Sequence, residues 1–519
     1  MRALRRKWDV MLLCRIALLI VIATYTCARA FAEIRLPHAL SDHAVLQRGV
    51  PIHIWGWGTP ETQVTVMLHD QSAHTSVDRL GKWNAWLQPE SAGGPYSLTV
   101  TESDSDVKVA LSDILIGDVW LASGQSNMEM PLEGFGAFSA PIKDGPAEIK
   151  AATHARIRLL HIYAKSSDYP LNDIDESWTE CNPDTAKGFS AAAYFFGREI
   201  SERENVPIGL IDAAWGGVPV DSFMSLESLT ANSAVLPALA YRAQYEKELA
   251  DYPAIVAAEK REDDAAKAAG KPAPQHDWHP DGSSWLPSGP YNAMIAPITN
   301  YTLKGFLWYQ GESDTSTVRA SHYFDLFSAL IFDWRRQFAQ GDLPFLYAQI
   351  SSFSGDGGWG VVRDAQRRTL ALRDTAMAVT LDVGDRNVRN IHPPDKQSVG
   401  ARLALAARGM VYGEHIEYQG PLFREATTQP GAMRVWFDHA EGLNVRTGKV
   451  EGFEVAGTDH RFVPAEASIK GSTIVVMSNQ VSDPKYVRYA WYGTPPPSLY
   501  NAAGLPASTF TSESIPQVP

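Results

Sequence analysis

At 519 residues the chain is too long for one ordinary domain, and a composition that is 45% apolar and 20% charged is that of a folded globular protein, which excludes disordered and fibrous classes. A formal net charge of −13 argues against nucleic acid or an anionic membrane as a partner. Three cysteines, of which Cys14 and Cys27 lie near the start, exclude a disulfide framework.

Residues 1–32 have the pattern of a secretory signal peptide. Arg2, Arg5, Arg6 and Lys7 precede an apolar run broken by Cys14 and Arg15, and two small-Xaa-small sites follow, Ala28-Arg29-Ala30 and Ala30-Phe31-Ala32. The apolar core after Arg15 is too short to span a bilayer. The mature protein is therefore expected to be exported, periplasmic or secreted, with no membrane anchor. Cys181 is then its only cysteine and is expected to be buried rather than catalytic. Six basic residues and one acid leave with the signal, so the mature chain is more acidic still.

Residues 33–112 predict an N-terminal β-sandwich. Val50–Gly58, Gln63–Leu68, Lys82–Leu87 and Tyr96–Val100 alternate apolar and polar positions and are separated by Gly, Pro and Ser clusters. From 113 to 415 the pattern changes. Apolar runs at Ile114–Ala122, Ile208–Ala214, Phe306–Tyr309, Phe345–Ile350 and Ala376–Val383 alternate with segments of helical periodicity, Phe189–Glu204, His322–Phe338, Val361–Arg373 and Lys396–Tyr412. That predicts an α/β core, a parallel sheet with helices on both faces. A stretch rich in Ala, Lys, Glu and Asp, followed by a Pro/Gly/His/Asp loop, predicts a charged helical insertion at about 228–290 with no catalytic role. Residues 416–519 return to strand-like runs and predict a C-terminal β-rich domain.

In an open parallel sheet, sites form at the carboxyl ends of the strands. Gly124-Gln125-Ser126-Asn127 follows the first apolar run and Trp215-Gly216-Gly217 the second. The third is followed by Gln310-Gly311-Glu312-Ser313-Asp314, and the last by Asp385 and Ile391-His392-Pro393-Pro394-Asp395. Ser126 is the candidate nucleophile, and a serine hydroxyl needs a base. His392, in a loop stiffened by proline just before the last helix, is the candidate base. Asp385, seven residues earlier, is the candidate orienting acid; the order nucleophile, acid, histidine is also that of α/β hydrolases. Asp395 competes but stands where a helix N-cap is expected. The N–H groups of Ser126 and of Gly216 or Gly217 are candidate oxyanion donors, completed by the side-chain amide of Gln310 or Asn127. Glu312 and Asp314 would bind substrate hydroxyls or brace the loops. No HExxH, CxxC or close histidine pair suggests a metal, and no glycine-rich or Walker motif suggests a nucleotide, so no cofactor is expected. Glu129, Glu312 and Asp314 keep a glycosidase open as a rival.

Gly124-Gln-Ser-Asn-Met-Glu-Met-Pro131, Trp308-Tyr-Gln-Gly-Glu-Ser-Asp314 and Ile391-His-Pro-Pro-Asp-Lys-Gln397 together resemble the sialate O-acetylesterase family of the SGNH hydrolases. Met128 stands where a second glycine would make the GxSxG elbow of α/β hydrolases, which also favours the SGNH arrangement. The resemblance implies a flavodoxin-like SGNH core and a serine acyl-enzyme without metal, acting on an acetylated carbohydrate. It places the nucleophile on Ser126, the base on His392, a glycine block near Gly216-Gly217 and a third block on Gln310 to Asp314. Arg389 and Asn390 stand where the family often has its acid, and Asp314 stands where many SGNH proteins have an oxyanion Asn. A sialate carboxylate would favour a basic pocket, for which Arg363 is the candidate. The acidic, aromatic-rich chain suits plant hemicellulose such as xyloglucan or xylan better. A non-catalytic carbohydrate-binding protein on an esterase scaffold is the reading from a different class.

Overall fold

The computed structural model describes residues 33–103, 106–136, 139–274, 276, 283–354, 358–384, 390–446, 448–493 and 498–514, the side chains of 238–249 excepted. The expected signal peptide lies outside the described residues, and so do Asp385 and Arg389. By packing, the chain divides into two compact units. One gathers residues 33–37, 53–88 and 97–111; the other gathers 38–52, 89–96 and everything from Ser112 onward, so that residues 416–514 pack in the same unit as the α/β core.

A short strand β1 (Val45–Gln47) opens the chain, followed by β2 (Ile52–Trp57), β3 (Gln63–Leu68), β4 (Gln71–Ser76), β5 (Lys82–Leu87) and β6 (Gly93–Glu102). Within the smaller unit, β3 lies between β4 and β6, and β2 pairs with β5. The alternation seen in the sequence is what buries these strands. Val64, Val66 and Leu68 point inward from β3, and Trp83, Ala85 and Leu87 point inward from β5. β4 carries no large apolar residue, which is why its sequence did not announce it.

The larger unit is built on β7 (Lys108–Gly124). With β8 (His154–His161), β9 (Thr179–Cys181), β10 (Ile208–Ala214), β11 (Gly305–Tyr309), β12 (Phe345–Ala348) and β13 (Thr375–Ala378) it forms a sheet ordered β13-β12-β11-β7-β10-β8-β9. All of these neighbours run parallel except β9, which is antiparallel to β8. Along β11, Phe306 and Trp308 face one aromatic layer, with Trp334 and Phe345 among its members, while Leu307 and Tyr309 join the core on the other side. Burial of both faces explains why these strands are continuous apolar runs. Helices α1 (Ser126–Glu129), α2 (Gly145–Ala151), α3 (Pro183–Ala186), α4 (Ala191–Glu204), α5 (Leu226–Ala231), α6 (Pro237–Ala268), α7 (Thr317–Phe338), α8 (Trp359–Thr369) and α9 (Lys396–Met410) complete the core. α4 and α9 pack together on the Leu307 side, whereas Trp334 and Phe338 of α7 cover the Phe306 side.

The strand β8 was not foreseen, because its apolar stretch is short and framed by His154, Arg156, Arg158 and His161. It adds a strand outside β10, while the five predicted strands keep the order β10-β7-β11-β12-β13, which is the 2-1-3-4-5 of flavodoxin. Within the charged insertion lies one long helix, α6. Residues beyond α9 form two antiparallel sheets. β14 (Leu422–Gln429) and β15 (Ala432–Asp438) belong to one. β16 (Phe453–Ala456) and β17 (Val463–Pro464) belong to the other. β18 (Glu466–Lys470) and β19 (Thr473–Met477) complete the first, and β20 (Tyr486–Tyr489) and β21 (Phe510–Thr511) the second.

Candidate active site

Connections leave β7 in opposite directions, toward β8 and β10 on one side and β11 to β13 on the other. The crevice at such a switch point is where an open α/β sheet binds its ligand. Here β7, β10 and β11 end level, Ala214 and Tyr309 both being partnered with Gly124. Gly124 has φ +138°, and a Cβ there would lie 2.2 Å from the Tyr309 carbonyl oxygen, so only glycine ends β7 against β11 in this way. The turn is then pinned by Gln125 N–H donating to the Tyr309 carbonyl at 3.0 Å and Trp215 N–H donating to the Gly124 carbonyl at 3.1 Å. The Gln125 side-chain oxygen accepts from the N–H groups of Gly311 (3.2 Å) and Ser313 (3.1 Å), clamping the third motif to the first.

Ser126 is the first residue of α1, and its Oγ lies 2.9 Å from Nε2 of His392, 266 residues away in sequence. The His392 ring packs edge-on against Phe135 at 5.3 Å. Burial pushes His392 down to about 4, and the charge of Lys396 acts in the same direction. The ring is therefore neutral near pH 7, and Nε2 can accept the serine proton. Asn390 fastens the loop, accepting from His392 N–H at 3.0 Å and donating to the His392 carbonyl at 2.9 Å. Asp395 caps α9, accepting from Ser398 N–H at 3.0 Å and Ser398 Oγ at 2.9 Å, as a helix N-cap should. Among the described residues no carboxylate hydrogen-bonds to Nδ1 of His392.

Gly216 sits against the nucleophile: a Cβ on it would lie 3.5 Å from Ser126 Cβ and 2.8 Å from Glu129 Oε2. Its N–H is turned to the Glu129 carboxylate, which burial pushes up to about 7 despite that bond. Among the described residues the backbone N–H groups of Ser126 and Gly217 make no hydrogen bond. Of the N–H groups expected to serve an oxyanion, these two are therefore unengaged.

Several expected roles are corrected by the hydrogen bonds. Gln310 is fully buried, and its amide donates to the Val218 carbonyl (3.2 Å) and to Asp314 (2.6 Å) while its oxygen accepts from Tyr323 OH at 3.0 Å, so it has no hydrogen left for an oxyanion. Asn127 is committed likewise, donating to Glu312 Oε1 at 2.5 Å and to the Ile391 carbonyl at 3.1 Å. Asp314 is fully buried and braces loops instead of meeting substrate, accepting from Val220 N–H at 3.0 Å and Arg319 Nε at 2.8 Å. Glu312 is buried beside Asn127 and is pushed up to about 7 by desolvation. Arg363 is not a surface cation. It lies fully buried on α8 and donates to the Tyr492 carbonyl, and burial pushes it down to about 9. Cys181 is buried, and desolvation pushes its thiol up to about 12, which leaves it unreactive.

Sequence reasoning missed Gln125, Phe135, Asn390 and Lys396. Gln125, Asn390 and Lys396 lie in or beside the motifs already quoted, so the signal was position next to a catalytic candidate, but the partners of Gln125 and Lys396 are far away in sequence. The described residues also bring His43, Asp113 and Glu180 within donor distance of one another near the start of β8. Arg158 already occupies that cluster, 2.8 Å from Asp113 and 3.7 Å from Glu180.

A mixed α/β core with a largely parallel central sheet, and serine and histidine meeting at its switch point, is consistent with an SGNH-type carbohydrate esterase. Residues 268–408 match the family model described as carbohydrate esterase, sialic acid-specific acetylesterase. The sialate O-acetylesterase of Homo sapiens is 29% identical over 519 residues, covering 90% of this chain and 90% of that protein. The Rattus norvegicus sialate O-acetylesterase is 29% identical over 508 residues, covering 88% of this chain and 90% of its own. A crystal structure of a carbohydrate acetylesterase from Xanthomonas citri is 35% identical, with a TM-score of 0.78, covering 93% of this chain and all of that one. The chain belongs with the carbohydrate acetylesterases, which are carboxylic ester hydrolases, and it is similar to the sialate O-acetylesterases.

Proposed function

We propose that the protein releases acetate from O-acetylated glycans through an acetyl-enzyme on Ser126. The observation that carries this reading is the 2.9 Å contact between Ser126 Oγ and His392 Nε2 at the carboxyl end of the parallel sheet. His392 takes the serine proton as Oγ attacks the acetyl carbonyl, and the N–H groups of Ser126 and Gly217 receive the developing oxyanion. The same histidine returns the proton to the departing sugar hydroxyl and then activates the water that hydrolyses the acetyl-serine. Asp385 is the proposed partner for the other ring nitrogen.

The proposed substrate is a neutral plant hemicellulose, xyloglucan or xylan oligosaccharides ahead of sialate, met outside the cytoplasm after export. Supporting this are the net charge of −13 and the burial of Arg363, which leaves no guanidinium there for a sialate carboxylate. Tyr163, 64% exposed beyond the end of β8 with its ring 4.5 Å from that of His161, offers a face for a sugar ring. The test is acetate release from a panel of acetylated xyloglucan, xylan and sialate oligosaccharides by the wild type and by Ser126→Ala. The wild type is expected to deacetylate the neutral glycans without shortening them, and Ser126→Ala to release none. Full activity in Ser126→Ala, or new reducing ends, rejects the esterase mechanism; release from sialate alone rejects the substrate assignment.

A further inference from the structure

We propose that Lys396 is a positioning residue for His392, its ammonium held beside the histidine loop by a buried Asn127–Glu312 relay that joins all three motifs. This rests on the serine–histidine reading above and assigns the residue that readies its base. Lys396 and Asn127 are fully buried and Glu312 nearly so. Lys396 Nζ donates to Asn127 Oδ1, and Asn127 Nδ2 donates to Glu312 Oε1 at 2.5 Å and to the Ile391 carbonyl at 3.1 Å. One amide, fully occupied, thus connects the nucleophile turn at Asn127 with the third motif at Glu312. It also reaches the histidine loop twice, at Ile391 and at Lys396. The partners fix its orientation, since its oxygen must face the ammonium and its nitrogen the carboxylate.

Stability alone does not account for this arrangement. A buried ammonium held by an amide is no better for folding than a well-packed apolar group of the same size. What the Lys396 charge adds is an electrostatic setting for the base. Nζ of Lys396 is faced by Glu312 and Asn127, and by the Tyr309 ring from β11 at 5.2 Å. Asp314, which bears on Glu312 from behind, is itself bonded to Arg319. Among these groups Lys396 supplies the positive charge that disfavours an imidazolium at His392. Burial lowers Lys396 to about 7, so it is charged throughout the acid range in which His392 titrates. Its charge therefore extends the working range of the base downward.

The test compares Lys396→Met with the double variant Glu312→Gln/Lys396→Met, which removes both charges and leaves an amide oxygen for Asn127. Ser126→Ala serves as control. The pH profile of kcat/KM and the ring titration of His392 by NMR are measured together with the denaturant midpoint. Lys396→Met is expected to be less stable and to move the acid limb and the His392 titration to higher pH. The double variant is expected to regain stability while its acid limb and ring titration remain displaced. A His392 titration unmoved in both variants, or one that returns to the wild-type position as stability is regained, overturns the proposal. If the double variant is inactive, the ring titration alone decides. Retained activity in Ser126→Ala instead overturns the underlying reading, so the two failures are distinguishable.

Discussion

His392 titrates low because burial withholds water from its imidazolium and Lys396 stands nearby. Protonation removes the base, so activity is lost as pH falls through the histidine pKa, here about 4 rather than the ordinary 6.5. The kcat/KM for acetate release should accordingly hold from neutrality to below pH 6 and fall only as pH approaches about 4; an acid limb near 6.5 contradicts the buried, Lys396-shifted ring. The Lys396→Met variant tests the same charge. Removing the ammonium leaves the buried Asn127 oxygen without its donor, which costs roughly 1–3 kcal/mol, readable in the denaturant midpoint. Ser126 and His392 could be found in the sequence because each stands where an apolar run gives way to glycine or proline. The misread residues share one cause. A sequence shows that Gln310 can donate two hydrogen bonds, but not that Val218 and Asp314 already take them. For Arg363 it shows a charge but not its burial.

The elements that place these side chains are held by close backbone approach. Gly124 joins β7 to the nucleophile turn at φ +138°, with Tyr309 of β11 directly beside it. Gly124→Ala must displace one of the two strands. We expect it to lower stability by roughly 1–3 kcal/mol and to reduce turnover much more than binding, because Ser126 moves relative to His392. Denaturant unfolding and a kcat against KM comparison check this; wild-type values for both mean that the turn tolerates a side chain. The strands with both faces buried were the easiest to predict, and β10 matches its apolar run residue for residue. β8 escaped because its apolar stretch is short and framed by charged residues and histidines, and β4 because it buries no residue and carries no large apolar side chain. The insertion was recognised as helical from its Ala, Glu and Lys content, but nothing in that pattern distinguishes one long helix from two.

For the molecule as a whole, the α/β class followed from apolar runs alternating with helical periodicity. The strand order followed only from the resemblance and not from the runs themselves, because register and neighbour choice come from long-range packing. The site is assembled from residues as far apart as Ser126 and His392, and only folding brings them to one crevice. The net charge of −13 bears on which glycans approach, not on the fold. The central claim is that Ser126 carries the acetyl group between sugar and water. The direct measurement is peptide mass analysis after rapid acid quench during turnover of an acetylated oligosaccharide or aryl acetate. One acetyl group is predicted on the peptide containing Ser126 in the wild type, and none in Ser126→Ala. An unmodified Ser126 during turnover, with acetate still formed at full rate or with the acetyl group on another residue, would contradict the account.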